Sequence, residues 1–246
     1  MEYRIEKQSR GTRILFGDEV KERQTLLNKM ISIVETYGFE GIMLPSVEPQ
    51  ELYIDKAGSE VLNQMYVFND KKGRKLCLRP EATATVQQIA KHFWQAKKEV
   101  RVWYFEKCWR YERPQKGRYR EFWQFGCEVI NPKDKFIKEE LIDIASELCR
   151  LKTNDILVDY AVKRGLDYYV EEGFEIRCKQ LGTQEQICGG GSYERGIGFA
   201  IGIERLLELV KMQESKEDIV YIGALDEASL NTVLKTANSK RKTTKT

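Results

Sequence analysis

Over 246 residues the chain is 41% hydrophobic and 32% charged, with a net charge of +3; this supports one large core or two small ones, excludes a disordered chain, and singles out no partner. Its six cysteines form no C-x-x-C pair and His92 is its one histidine, so no structural zinc site is expected and each thiol reads as a small buried hydrophobe. No signal peptide opens the chain and no apolar run is long enough to cross a bilayer, which predicts a cytoplasmic protein with free thiols and no membrane partner.

The first periodic segment is Asp18 to Tyr37, where Leu27, Met30, Ile31 and Val34 recur at the spacing of one helical face. Asp18 is placed to cap this helix and Gly38 to stop it. A short extended segment, Ile42 to Leu44, breaks at Pro45. A second helix is expected over Glu81 to Lys98, with Val86, Ile89, Ala90 and Phe93 inward and Pro80 in its first turn. Val100 to Cys108 and Phe122 to Ile130 are aromatic and β-branched and read as strands. Between them lies Glu112 to Arg120, too polar for a core. Phe136 to Leu151 returns to helical period, with Ile137, Leu141, Ile144, Leu148 and Leu151 on one stripe. Ile156 to Val162 and Gly173 to Lys179 are further strand candidates, and Gly189 to Gly191 reads as a glycine turn. Gly198 to Met212 runs from glycine into an amphipathic helix. After Gln213 the polar ESKED stretch marks a boundary, followed by a strand at Ile219 to Ile222 and a helix at Glu227 to Ala237. The basic end, Ser239 to Thr246, is expected to be disordered. This order predicts an α+β fold with an antiparallel sheet.

One segment concentrates charge between two strand candidates. Arg110 to Glu128 reads RYERPQKGRYREFWQFGCE, with four arginines, one lysine and three glutamates. Guanidinium forks on a sheet match phosphate oxygens two at a time, a ring such as Phe122 offers a base a stacking face, and Glu112 can accept from an adenine amine. From charge alone the same string is also a solvated hairpin tip with paired surface charges.

The string resembles motif 2 of histidyl-tRNA synthetases, down to the ERPQKGRYR loop. That resemblance implies a class II aminoacyl-tRNA synthetase-like antiparallel sheet flanked by helices, with motif 2 as two strands and a loop. It implies that Arg110 holds the α-phosphate and the amino-acid carboxylate, Glu112 and Phe122 the adenine, and Arg118 the outer phosphates. Gln124 and Glu128 would face the side chain and amine of histidine. Trp123 stands where the family commonly has histidine; its neighbours are intact, so a local packing change is expected there.

Other segments are similar to the same family in the same order. LRPEAT, Leu78 to Thr83, resembles the loop receiving the amino group of histidine, which implies Glu81 and Thr83 as contacts; alone it is an ordinary helix start. RGLDYY, Arg164 to Tyr169, resembles the first histidine-specific signature, implying Arg164 on the α-phosphate and carboxylate with Tyr168 and Tyr169 lining the imidazole pocket; alone it is a loop and edge strand. CGGGSY, Cys188 to Tyr193, resembles the second signature and implies Tyr193 as a pocket residue, although Ser192 and Glu194 replace the usual arginine and aspartate. GFAIGIERL, Gly198 to Leu206, resembles motif 3, a strand running into a helix, with Arg205 on the terminal phosphate of ATP. YGFEGIMLP, Tyr37 to Pro45, resembles motif 1, which builds the family's homodimer interface, and RGTR, Arg10 to Arg13, its N-terminal entry.

The resemblance divides the chain into residues 1–216 as a catalytic domain, 217–238 as the start of an anticodon-binding domain, and 239–246 as a tail. The family's tRNA-gripping insertion is missing, with Leu151 to Leu157 bridging the gap. The implied activity is ATP-dependent formation of histidyl-adenylate, with Arg110, Arg164 and Arg205 catalytic, Mg²⁺ bridging phosphates, no resident metal, and a tRNA acceptor end as a weak further partner. An alternative is a non-catalytic histidine sensor similar to the regulatory subunit of ATP phosphoribosyltransferase, a group that tends to lose these arginines. A third is a synthetase-like module that senses RNA.

Overall fold

The computed structural model describes residues 8–54, 59–162, 170, 173–182 and 185–209, together with 226, 232–233, 235–236 and 239. The chain divides into two units, Met1–Met212 and Gln213–Thr246. In the second, the described residues Thr232, Val233, Lys235, Thr236 and Ser239 are helical; the expected strand at Ile219 to Ile222 and the basic tail lie outside the described residues, apart from Ser239.

The first unit is built on a seven-stranded sheet: β1 (Glu40–Gly41), β5 (Val100–Trp109), β6 (Glu121–Ile130), β10 (Gly196–Gly202), β9 (Gln186–Tyr193), β8 (Gly173–Arg177) and β7 (Leu157–Val162), in that spatial order. Every pairing is antiparallel except β1 with β5. A second, three-stranded antiparallel sheet joins β2 (Val47–Pro49), β4 (Lys75–Leu78) and β3 (Val67–Asn69). Two short helices, α2 (Glu51–Ile54) and α3 (Ser59–Asn63), lie between β2 and β3 in sequence, and Tyr53 of α2 packs with Cys77 and Ala84.

Strand periodicity sorts the large sheet into two chemically different faces. On one, Phe125, Cys127 and Val129 of β6, Ile197, Phe199 and Ile201 of β10, and Phe174 and Ile176 of β8 meet Leu26, Met30 and Val34 of helix α1 (Asp18–Thr36) and Leu141, Ile144 and Leu148 of α5 (Ile137–Arg150). The register puts Phe122, Gln124, Gly126 and Glu128 on the other face, beside Gly198, Ala200 and Gly202, with Gly189 and Gly191 next in line. There α4 (Thr83–Phe93) lays Val86 and Ala90 on Val102, Tyr104 and Ile130. The glycine- and alanine-paved part of this face is left for the site.

Several expectations are corrected. Gly189 to Gly191 is not a turn but the middle of a sheet-interior strand. A Cβ on Gly190 would lie 2.6 Å from the Phe174 ring and about as close to the Gly198 carbonyl, so the glycine serves close packing across strands. The extended segment near Ile42 pairs two residues earlier, at Glu40–Gly41, with Ile42 adding one bond to the Trp103 carbonyl. The second helix is shorter than expected: it starts at Thr83 and ends at Phe93, leaving Pro80 ahead of it. Phe93 is 76% exposed, and Trp94 turns inward in its place. Gly17 rather than Asp18 stands at the N-cap of α1, while Gly38 at φ 77° stops that helix as expected. In α1 the fully buried stripe runs through Leu26, with Leu27 and Ile31 at its margin. The long β5–β6 hairpin and α5 fall within a residue or two of the expected bounds.

Candidate functional site

A cleft of about 280 Å³ opens over the glycine-paved face. Its floor is Phe122 and Gln124 of β6, Ala200 and Gly202 of β10, and Gln186, Ile187 and Gly189 of β9. Larger side chains at the glycine and alanine positions would fill it. Two further glycines of this face do more: a Cβ on Gly126 would strike the Tyr104 ring, and one on Gly198 would strike the carboxylate of Glu128. Their absence of side chains lets both polar groups lie flat across the sheet.

Three cations converge on the outer half. Arg110 follows β5, donates from Nε to the Pro80 carbonyl at 2.9 Å, and holds its guanidinium 5.4 Å from the Phe122 ring centroid. Arg118 pairs with Glu112 within the hairpin loop. The loop is closed by paired backbone bonds between Gln115 and Arg118, a turn that Gly117 makes possible at φ 69°. Its tip leans on helix α6 (Ile203–Leu207) and the residue after it, through Gly117 beside Arg205 and a Lys116–Glu208 ion pair of 2.8 Å. Arg205 donates to the Gln186 carbonyl at 2.7 Å. Burial, followed by the positive field of Arg118 and of Arg110, holds its guanidinium below its ordinary pKa. Such a concentration of positive charge is matched by a polyanion.

The inner half is carboxylate and hydroxyl. Glu81 caps α4, its two oxygens accepting from the Thr83 and Ala84 backbone at 2.8 and 2.9 Å. Thr83 Oγ1 donates to Glu128 at 2.7 Å, Tyr193 donates to its other oxygen at 2.9 Å, and the Tyr104 hydroxyl reaches it at 3.5 Å. Glu128 is fully buried, and desolvation pushes its pKa up to about 8 despite those hydroxyl bonds, with nearby Glu81 adding to the rise. Gln124 Oε1 lies 3.1 Å from the Cys108 thiol, which donates to it.

Of the residues expected from sequence, Glu81, Thr83, Arg110, Glu112, Arg118, Phe122, Gln124 and Arg205 share the wall of this one cleft. Glu128 and Tyr193 stand directly behind Thr83. Arg164, Tyr168 and Tyr169 lie outside the described residues. Gln64, Tyr119, Glu175, Gln186 and Glu204, to which the motifs assign no role, also line the cleft. Glu204 had a signal, its place beside Arg205: it accepts from Arg23 at 2.9 Å and from the Trp123 backbone at 2.8 Å, tying α1 to β6. Glu175 reaches the cleft because β8 places it opposite Gly189, a register the sequence does not state. Among the described residues no group of three or more His, Cys, Asp or Glu side chains forms a metal-ligand set, and no helix is long and apolar enough to cross a membrane.

The family model for histidyl-tRNA synthetase matches residues 11–152. A histidine–tRNA ligase of Archaeoglobus fulgidus is 30% identical, over 87% of this chain and 78% of its own length. The chain belongs to the histidyl-tRNA synthetase family. A ligase of the same name from Methanocaldococcus jannaschii is 38% identical over 85% of this chain but 51% of its own length. The Archaeoglobus alignment spans 319 residues, more than the whole chain, so that family member holds residues inside the aligned span with no counterpart here. Apo Staphylococcus aureus histidyl-tRNA synthetase shares the fold at a TM-score of 0.80 and 23% identity, covering 97% of this chain and 81% of its own. A Bacillus halodurans protein described as an ATP phosphoribosyltransferase regulatory subunit/histidyl-tRNA synthetase does so at 0.76 and 14%, covering 96% and 90%. The sheet flanked by helices is thus the class II synthetase fold of the family. Trp123, where this chain departs from motif 2, faces away from the cleft and stacks on Phe105 at 4.4 Å. Ser192 is in register with Ile197, also away from it.

Proposed function

We propose that the chain activates histidine with ATP, forming histidyl-adenylate and pyrophosphate. The observation that carries this reading is the convergence of Arg110, Arg118 and Arg205 on the outer half of the same cleft whose inner half presents Glu81, Thr83 and Gln124. A polyphosphate fits the first and a small amine-bearing ligand the second.

In the reaction a histidine carboxylate oxygen attacks the α-phosphorus, an O–P bond forms, and the bond to the β-phosphate bridge breaks, releasing pyrophosphate with its charge. The carboxylate is already ionised at neutral pH, so no general base is needed. The enzyme's share is positioning and charge neutralisation. Arg110 would bridge carboxylate and α-phosphate, seconded by Arg164; Arg118 and Arg205 would take the outer phosphates. Glu112 and Phe122 would receive the adenine, which requires the Glu112–Arg118 pair to open as the phosphates claim Arg118. Glu81 and Thr83 would hold the amine, Gln124 and Glu128 would face the side chain and amine of histidine, and Tyr168, Tyr169 and Tyr193 would line the imidazole pocket. Mg²⁺ carried in with the nucleotide would supply further neutralisation of the phosphate charge. A cleft carboxylate such as Glu175 fits an ion carried in by its phosphates.

Transfer of histidine to a tRNA acceptor end, a homodimer through Tyr37 to Pro45, a cytoplasmic site of action, and division at residues 216 and 238 extend the same reading. Histidine-dependent ATP–pyrophosphate exchange tests it: robust exchange is expected, and none at saturating histidine overturns it. Histidine binding without exchange would favour the sensor alternative, against which the retention of Arg110, Arg118 and Arg205 weighs.

A further inference from the structure

Arg79 does not line the cleft, yet it is the largest fully buried side chain in the described structure. A buried guanidinium is tolerated only when its donors are matched. Here Nη1 donates to the Pro45 carbonyl, Nε and Nη2 to the Lys107 carbonyl at 3.3 and 2.9 Å, and Nη2 to Glu106 at 2.6 Å. The other oxygen of Glu106 accepts from the Leu44 backbone at 2.7 Å. The Arg79 main chain adds bonds to the Ser46 carbonyl and from the Trp109 amide. One residue thus ties the end of β4 to the Leu44–Ser46 segment and to the last residues of β5.

The two residues after Arg79 belong to the site. Pro80 offers the carbonyl that receives Arg110 Nε, and Glu81 is the carboxylate at the cleft wall. Pro80 has little freedom of its own, its φ being fixed by the ring. Its remaining rotation, ψ, is spanned by two fixed points, the anchored Arg79 on one side and Glu81 capping α4 on the other, so the carbonyl direction depends on how Arg79 is anchored. A shift there turns the Arg110 guanidinium, whereas Arg118 and Arg205 have supports on other elements.

We infer that Arg79 is a positioning residue for adenylate formation, acting through the Pro80 carbonyl on the orientation of Arg110. This rests on the role proposed for Arg110. The test is pyrophosphate exchange with Arg79→Lys, which keeps the charge but cannot span three acceptors, and with the paired Arg79→Met/Glu106→Gln variant, which removes both buried charges while leaving an acceptor for Leu44. In each, kcat is expected to fall about 10- to 100-fold while KM for ATP and histidine moves less than about 3-fold. In an Arg110→Lys background, adding Arg79→Lys is expected to cost less than about 3-fold more, since the two act as a unit. Unchanged kcat, a loss confined to KM, or losses that multiply across the double variant would each overturn the inference. So would collapse of the fold in both variants, which would make Arg79 structural only. No exchange in the unsubstituted protein overturns the activity itself and is read separately from these outcomes.

Discussion

Arg205 sits where a phosphate would relieve its surroundings: it is largely sunk in protein, facing two other arginines across the cleft. Charge-assisted bonds to phosphate contribute about 1.5–3 kcal/mol each. Arg205→Ala is therefore expected to lower kcat/KM for ATP in exchange by about 10- to 100-fold, and an unchanged value would remove Arg205 from the phosphate site. Glu128 makes a pH prediction. Its folded pKa, about 8, lies above the ordinary 4.5, so between those values the folded state holds a proton that the unfolded state has lost. Stability should then decline as pH rises from about 4.5 to about 8 and level off above, the opposite of a salt-bridged carboxylate. Thermal unfolding across that range should show a shallower decline for Glu128→Gln; the same slope in both proteins would assign the effect elsewhere. At this scale the motif strings make Arg110, Arg118, Glu81 and Glu128 legible. Gln64 and Glu175 are not, because nothing local distinguishes a polar side chain that a distant element turns into a cleft.

The glycines of β6, β9 and β10 belong to the element scale. In β10 they alternate with Ile197, Phe199 and Ile201, so that strand gives its bulk to the α1 and α5 side and its room to the ligand side, where Gly126 of β6 and Gly189 and Gly191 of β9 fall in register with it. Gly198→Ala would drive a methyl group into Glu128 and the Cys127 carbonyl. Overpacking of this kind costs about 1–3 kcal/mol, and because the atom displaced is a carboxylate of the inner site, histidine KM should rise as well. Chemical denaturation and exchange kinetics on the same variant check both; wild-type values in either would show that the face yields. Runs of glycine read as turns in isolation, which is why Gly189 to Gly191 is misplaced by sequence alone. Their role depends on Phe174, Gly198 and Phe199 from two neighbouring strands, and single-sequence periodicity carries no such neighbours. Helix α1 and the β5–β6 hairpin are legible nearly to the residue, since a 3.6 period bounded by glycines and a β-branched, aromatic run are both local signals.

For the whole molecule the segment Tyr37 to Pro45 bears on assembly. Met43 is 95% exposed, an unusual place for so large an apolar side chain. A homodimer is expected, and light scattering should return twice the 28.8 kDa chain mass; a monomeric mass would remove the dimer from the reading. Histidine attached to tRNA would require surfaces beyond the cleft. Titration with full tRNA and with isolated acceptor hairpins separates the two contributions, and charging of neither would restrict the chain to adenylate formation.

By itself the sequence determined the family, the strand-loop-strand around Arg110 to Glu128, and the arginines and carboxylates with which such a site is furnished, because these reside in short contiguous strings. Only the tertiary structure decided that five of those arginines and carboxylates share one wall, that Gly189 and Gly202 from two strands open the space before them, and that Arg79, to which no motif assigns a role, anchors the loop on which Arg110 rests. The physical reason is strand register: it is set by long-range pairing and core packing, and it determines which face every second side chain meets.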